Sequence, residues 1–186
     1  MRVALVLAML AGPCWAEPWI DYELLLDQNA DMIVVSTDAS GAVTRHLDLG
    51  DGVTVSCSDQ GCIGSDPKLA FGCLWSVYAS LLASAEVCGI LETRTTKITD
   101  YHRLLTAFVA RNAVPPRSVA EIETIYQELY LDRYRGSDGP LDCATVLAPD
   151  SDVMTLIDEL SSSQLDLEAI EAGLARPRLP VMNPCL

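Results

Sequence analysis

Residues 42–89, AVTRHLDLGDGVTVSCSDQGCIGSDPKLAFGCLWSVYASLLASAEVCG, change hydrophobic period midway, and that change decides the fold class. In the first half, Val43, Leu47 and Leu49 fall on one side and Thr44, His46 and Asp48 on the other. After the turn Gly50-Asp51-Gly52, Val53, Val55 and Cys57 alternate with Thr54 and Ser56. A period of two is that of a half-buried strand. Beyond the start signal Asp66-Pro67 the period becomes helical. Leu69, Cys73, Leu74, Val77, Tyr78, Leu81, Leu82 and Ala85 trace one broad stripe, stopped by Gly89.

Towards the N-terminus, Tyr22–Leu26 and Met32–Thr37 read as two further strands joined by Asp27-Gln28-Asn29-Ala30-Asp31, although Ile20–Gln28 also fits a short helix. Asp38-Ala39-Ser40-Gly41 is a turn signal. Consecutive strands with short loops imply an antiparallel meander with one polar face. Towards the C-terminus a second helix is expected over Asp100–Asn112, ended by Pro115-Pro116. Ser118-Val119-Ala120-Glu121 is a capping box opening a third helix to Arg135. A loop through Gly136, Gly139 and Pro140 follows. Asp150 or Ser151 then caps a helix through Leu160, and another runs from Gln164 to Ala175. The pattern predicts an α+β fold, an N-terminal antiparallel β-meander followed by a disulfide-stapled bundle of four to five helices. It occupies residues 17–186 as one domain, with a Pro-rich tail over 176–186.

Residues 1–16 read as a cleaved secretory signal: Arg2, an apolar stretch from Val3 to Ala11, the helix breaker Pro13, and Cys14-Trp15-Ala16 before Glu17. The stretch is shorter than the about 20 apolar residues a bilayer span needs. Pro13 sits where a lipid-modified Cys14 would want a small residue. The expectation is therefore a periplasmic or secreted protein with no transmembrane anchor after cleavage. Without Arg2, 11 basic side chains remain against 26 acidic ones, a net charge of −15. Such an excess repels nucleic acid and anionic membranes, and would attract a basic partner or a cation.

Loss of Cys14 leaves Cys57, Cys62, Cys73, Cys88, Cys143 and Cys185. An even count in an oxidising compartment reads as three disulfides, with fifteen possible pairings. Cys73 and Cys88 lie at opposite ends of one helix, about 22 Å apart, beyond the about 7 Å a disulfide allows between Cα atoms. Cys57 and Cys62 flank the turn Ser58-Asp59-Gln60-Gly61, which favours a local bridge. The other two bridges then join the long helix to Cys143 and Cys185, in either of two ways. No basic residue beside Cys57 or Cys62 would stabilise a thiolate, and neither His46 nor His102 stands at zinc-ligand spacing from a cysteine. No metal or cofactor is expected.

Asp27, Asn29 and Asp31 resemble the opening of a calcium loop, but Met32 replaces the glycine and Asp38 the bidentate glutamate, so a turn is the better reading. No G-x-S-x-G elbow is present, and His46 and His102 have no recognisable nucleophile partner. Glu92, following Gly89-Ile90-Leu91, is the one acid in an apolar local setting and the one candidate general acid. Tyr126, Tyr130 and Tyr134 recur every four residues and form an aromatic stripe, a candidate partner-binding ridge or the margin of the core. The expected function is that of a non-catalytic binding or accessory protein for another exported or envelope protein, with the acidic charge favouring a basic one. The alternatives are a carboxylate-dependent hydrolase of a cell-envelope polymer and a small-molecule or cation-binding module.

Overall fold

The computed structural model describes residues 17–136, 140–163 and 167–185. The expected signal at 1–16, with Cys14, lies outside the described residues, as do Gly139 and Gln164. The chain forms two compact units. Among the described residues, the first holds 17–74 together with Val109–Arg117 and 178–185; the second holds Trp75–Phe108 and those of 118–177.

In the first unit, Tyr22–Gln28 is a helix, α1, so the helical of the two readings of this stretch applies. Asp21 caps it by accepting from the Leu24 N–H at 3.0 Å. Tyr22, Leu25 and Leu26 are its buried side, the i, i+3, i+4 set of a helix and not the alternation of a strand. After a single 3₁₀ turn at Ala30–Met32 come β1 (Val34–Thr37), β2 (Val43–Asp48), β3 (Thr54–Ser58) and β4 (Gly61–Ser65). They form an antiparallel sheet in the order β1-β2-β3-β4. Strand β4 has little signal in the sequence, since two of its five residues are glycines, which are poor strand formers. Cys57 and Cys62 stand directly opposite each other in the β3–β4 ladder and are bridged, with Cα atoms 4.0 Å apart.

Leu47, Val55, Cys57 and Gly64 are buried on the core face of the sheet. Gly64 is required there, because a Cβ would overlap Val181 and come within 2.9 Å of the Tyr22 hydroxyl. The C-terminal segment is stitched to the unit by main-chain contacts. Trp19 Nε1 donates to the Pro180 carbonyl at 2.7 Å, and the Gly72 N–H donates to that of Val181 at 3.0 Å. The Met182 N–H donates to the Glu17 carboxylate at 2.9 Å. Arg178 pairs with the buried carboxylate of Asp66, which also accepts from the Lys68 and Leu69 N–H groups. Asp66 therefore organises a turn, and the long helix α2 starts later, at Phe71, and runs to Val87. Cys73 is bridged to Cys185, Cα to Cα 5.2 Å. A tail without periodicity thus becomes part of the core: Val181 is fully buried.

In the second unit, α3 begins at Glu92, two turns before the expected Asp100, and it runs on to Asn112 in the first. Threonines make those turns unpromising in sequence. Their hydroxyls bond back to helix carbonyls, Thr95 and Thr96 to Glu92 and Thr99 to Thr95, at 3.1 Å each. Ile98, Tyr101, His102 and Leu105 are buried along one side, and their packing outweighs weak propensity. The capping box of Ser118 and Glu121 is present and opens α4, Val119–Tyr126. This helix continues through a π-turn at Gln127–Leu131 into α5, Asp132–Arg135. Next come α6 (Cys143–Val146), α7 (Asp152–Ser162, capped by Ser151) and α8 (Leu167–Leu174). Cys143 is bridged to Cys88, just past the end of α2, Cα to Cα 5.2 Å. Counting α4–α5 as one rod and α6 as a single turn, five longer helices follow the sheet among the described residues. The α+β class holds. No helix among these residues is long and apolar enough to cross a membrane.

Candidate functional site

The two edges of the sheet end differently. At β4, Ser65 bridges Asn183, the Asp66 N–H donates to the Asn183 carbonyl at 2.8 Å, and the Asn183 amide donates to Ser65 Oγ at 3.2 Å. At the opposite edge β1 pairs only with β2 among the described residues, and all four of its residues are exposed. The bond from the Asp38 N–H to the Ala42 carbonyl, 3.0 Å, sets the phase of the β1–β2 ladder. By alternation, Val34 and Ser36 turn their main-chain groups towards β2, while Val35 and Thr37 turn theirs outward. Val34 is 65% exposed and Val35 60%.

The two valines lie on opposite faces. Val35 neighbours Arg45 in register, and Val43 follows on the same face, itself half exposed. On this face Arg45 makes a two-point ion pair with Glu23 of α1, 2.6 and 3.0 Å. Beyond it lies an open depression of about 470 Å³ lined by Val43, Arg45, Cys57 and Asp59 among others. Between residues 17 and 65 there are nine carboxylates and one basic side chain, Arg45, which Glu23 already engages. Asp31 and Asp38 stand just before and just after β1. The Asp38 carboxylate accepts from Ser40 Oγ at 2.6 Å and from the Ser40 and Ala42 N–H groups at 2.7 and 3.0 Å. These donors, the Ser40 hydroxyl foremost, hold it below the usual carboxylate range.

On the other face His46 stands between two hydroxyls, with Ser36 Oγ 2.9 Å from Nε2 and Ser56 Oγ 3.0 Å from Nδ1. A neutral imidazole in this place donates from one ring nitrogen and accepts at the other. No carboxylate joins this chain among the described residues, and it lies on an exposed strand, so it has neither the orienting acid nor the enclosure of a nucleophilic site.

In the second unit the tyrosines face inward. Tyr130 pairs with Ser76, and Tyr134 pairs with Ser80 at 2.7 Å, so two successive turns of α2 meet two successive tyrosines. The π-turn, marked by the Asp132 N–H bonding to the Gln127 carbonyl five residues back, lies between Tyr126 and Tyr134. His102 completes the cluster, its ring centroid 5.5 Å from Trp75 and 5.1 Å from Tyr126. It is buried, and its Nε2 has no hydrogen-bond partner among the described residues. Burial pulls its pKa down to about 4, so the ring is neutral at neutral pH. Burial also raises Tyr126 to about 12, helped by the charge of Glu86. Ser76 and Ser80 are engaged with tyrosines, so His102 faces rings and no activated nucleophile.

Glu92 stands exposed in the first turn of α3, beside Leu91, which is 70% exposed. Among the described residues no three His, Cys, Asp or Glu side chains converge as a metal site. The open edge was missed in sequence because a strand at Tyr22–Leu26 would have preceded Met32–Thr37 and taken the outer place. Aspartates at both ends of a valine-bearing strand were the available signal. No family model, no curated protein and no solved structure matches this chain.

Proposed function

We propose that this chain is an exported, non-catalytic binding protein that engages another exported or envelope protein through the acidic, valine-lined edge of its sheet. The observation that carries this reading is β1, a strand with Val34 and Val35 largely exposed in a region of nine carboxylates and one base. Exposed apolar side chains grouped inside a field of one sign are the makings of a contact surface, with an apolar centre and a charged rim. That field favours a basic partner and makes association salt-dependent. Three disulfides support life in an oxidising compartment.

Native mass spectrometry of protein purified gently from its own host tests this. The expected species starts at Glu17 and is six hydrogens lighter than the reduced chain, two for each bridge. It carries a second polypeptide of net positive charge, which salt releases and which Val35→Asp fails to retain. A chain that flies alone at low ionic strength, with and without prior cross-linking, would sink the proposal.

A further inference from the structure

Resting on that reading, we infer that the partner is held by strand addition: an extended, basic-flanked segment lies along β1 as a fifth strand of the sheet. Three independent features converge on this one edge. The first is the main chain. The far edge of the sheet meets the C-terminal segment at its Ser65 end, where Asn183 bridges it, whereas Val35 and Thr37 direct their N–H and C=O groups away from the sheet with no strand beyond them among the described residues. Unpaired edge groups are a template for another strand.

The second feature is the lack of protection. Edges are ordinarily guarded by lysine, proline, a bulge or a covering element. Val34-Val35-Ser36-Thr37 contains neither lysine nor proline and pairs with β2 in uninterrupted register. Within the strand itself, its length of four residues is the guard that remains. A valine on each face offers an incoming strand an apolar neighbour on both sides of the pleat.

The third feature is charge, which selects the occupant. Asp31 and Asp38 bracket the strand, and Asp38 is held ionised by its own turn. A second copy of this chain would bring the same aspartates to the same edge, so like charges oppose self-pairing. A segment with lysine or arginine at each end of a β-branched core meets those charges, and the alternation of its side chains meets Val34 and Val35.

A synthetic peptide alternating threonine and valine, with a lysine pair at each end, is the probe, followed by amide exchange and NMR on the intact, oxidised protein. The expected result is that the amides of Val35 and Thr37 become protected on peptide addition while that of Ser36, already turned inward, changes little. Methylating the peptide nitrogens along one edge removes main-chain bonding without touching the protein, and should weaken binding about tenfold. Val35→Pro removes an outward N–H that the sheet itself does not use and should have the same effect. Replacing the lysines by glutamates should abolish binding.

Peptide binding that leaves the Val35 and Thr37 amides unprotected, or that ignores N-methylation, overturns strand addition while the binding-protein reading stands. Protection of the same amides in a self-associated chain, with the peptide unable to compete, would assign the edge to a second copy and overturn the heterologous occupant. If the natural preparation contains no partner and the peptide does not bind, both readings fail together.

Discussion

His102 shows what a single buried residue contributes. Its folded pKa lies at about 4 because burial disfavours the imidazolium, whereas an exposed histidine titrates near 6.5. The unfolded chain therefore binds the extra proton between these values, and stability falls as pH drops from about 6.5 towards 4, by about 3 kcal/mol when the loss is complete. Above pH 7 the group contributes no pH dependence. His102→Phe should flatten denaturation midpoints across that window, and an unchanged slope would place the acid sensitivity elsewhere. Asp66 acts lower on the scale. Burial pushes its carboxyl up, but hydrogen bonds from Arg178 and from the Leu69 and Lys68 N–H groups win, leaving it below its ordinary value. Its contribution is present above the unfolded carboxylate pKa and is lost only as pH falls through the folded one. Gly72 separates propensity from packing. Alanine is the better helix former by about 1 kcal/mol, yet a Cβ here would lie 2.5 Å from the Pro180 carbonyl oxygen and 2.8 Å from that of Val181. Gly72→Ala should destabilise by about 1–3 kcal/mol, read from denaturant melts; a gain in stability would show that the tail yields easily.

Elements were legible where local signals and burial agree. The capping box at Ser118 and Glu121 is present as its spacing implies, and Ser118→Ala should cost about 1 kcal/mol, measured in the same melts. Strands β2 and β3 follow the expected alternation, with Leu47, Val55 and Cys57 each buried. Where the two disagree, the sequence misleads for identifiable reasons. In Tyr22–Gln28 the residues Leu24, Leu25 and Leu26 are continuous and have no period of their own, so the Asp21 cap was the deciding signal. In β4, Gly64 weakens the strand signal because the site needs its missing side chain, with Val181 and Tyr22 occupying the space. In the first turns of α3 the threonines suppress helical expectation, and only the buried side at Ile98 and Tyr101 restores it. The same logic governs the candidate site. A strand is visible in local sequence, but its place at an edge depends on what lies on either side, and one misread neighbour was enough to hide it.

At the scale of the whole chain, the cysteines carry long-range order that periodicity does not encode. Spacing sufficed for Cys57 with Cys62 and against Cys73 with Cys88, because both judgements need only local geometry. Choosing between Cys143 and Cys185 as partners required knowing where the tail runs, and that depends on contacts such as Gly72 with Val181 and Glu17 with Met182. The bridges differ in how much chain they close: Cys57–Cys62 spans 5 residues, Cys88–Cys143 spans 55 and Cys73–Cys185 spans 112. If loop entropy of the unfolded chain dominates, their contributions are about 2, 4 and 5 kcal/mol in that order. Paired Cys→Ala replacements, melted in denaturant under oxidising conditions, should therefore lose stability in that rank, with Cys73→Ala/Cys185→Ala the most damaged. That variant should also expose the C-terminal segment to protease, since one of the ties between 178–185 and the rest of the first unit would be gone. Equal losses for all three pairs would mean that native packing around each bridge, and not the length of chain it closes, sets its worth. A hairpin bridge that proved the most important would make the rigidity of β3 and β4 the larger effect.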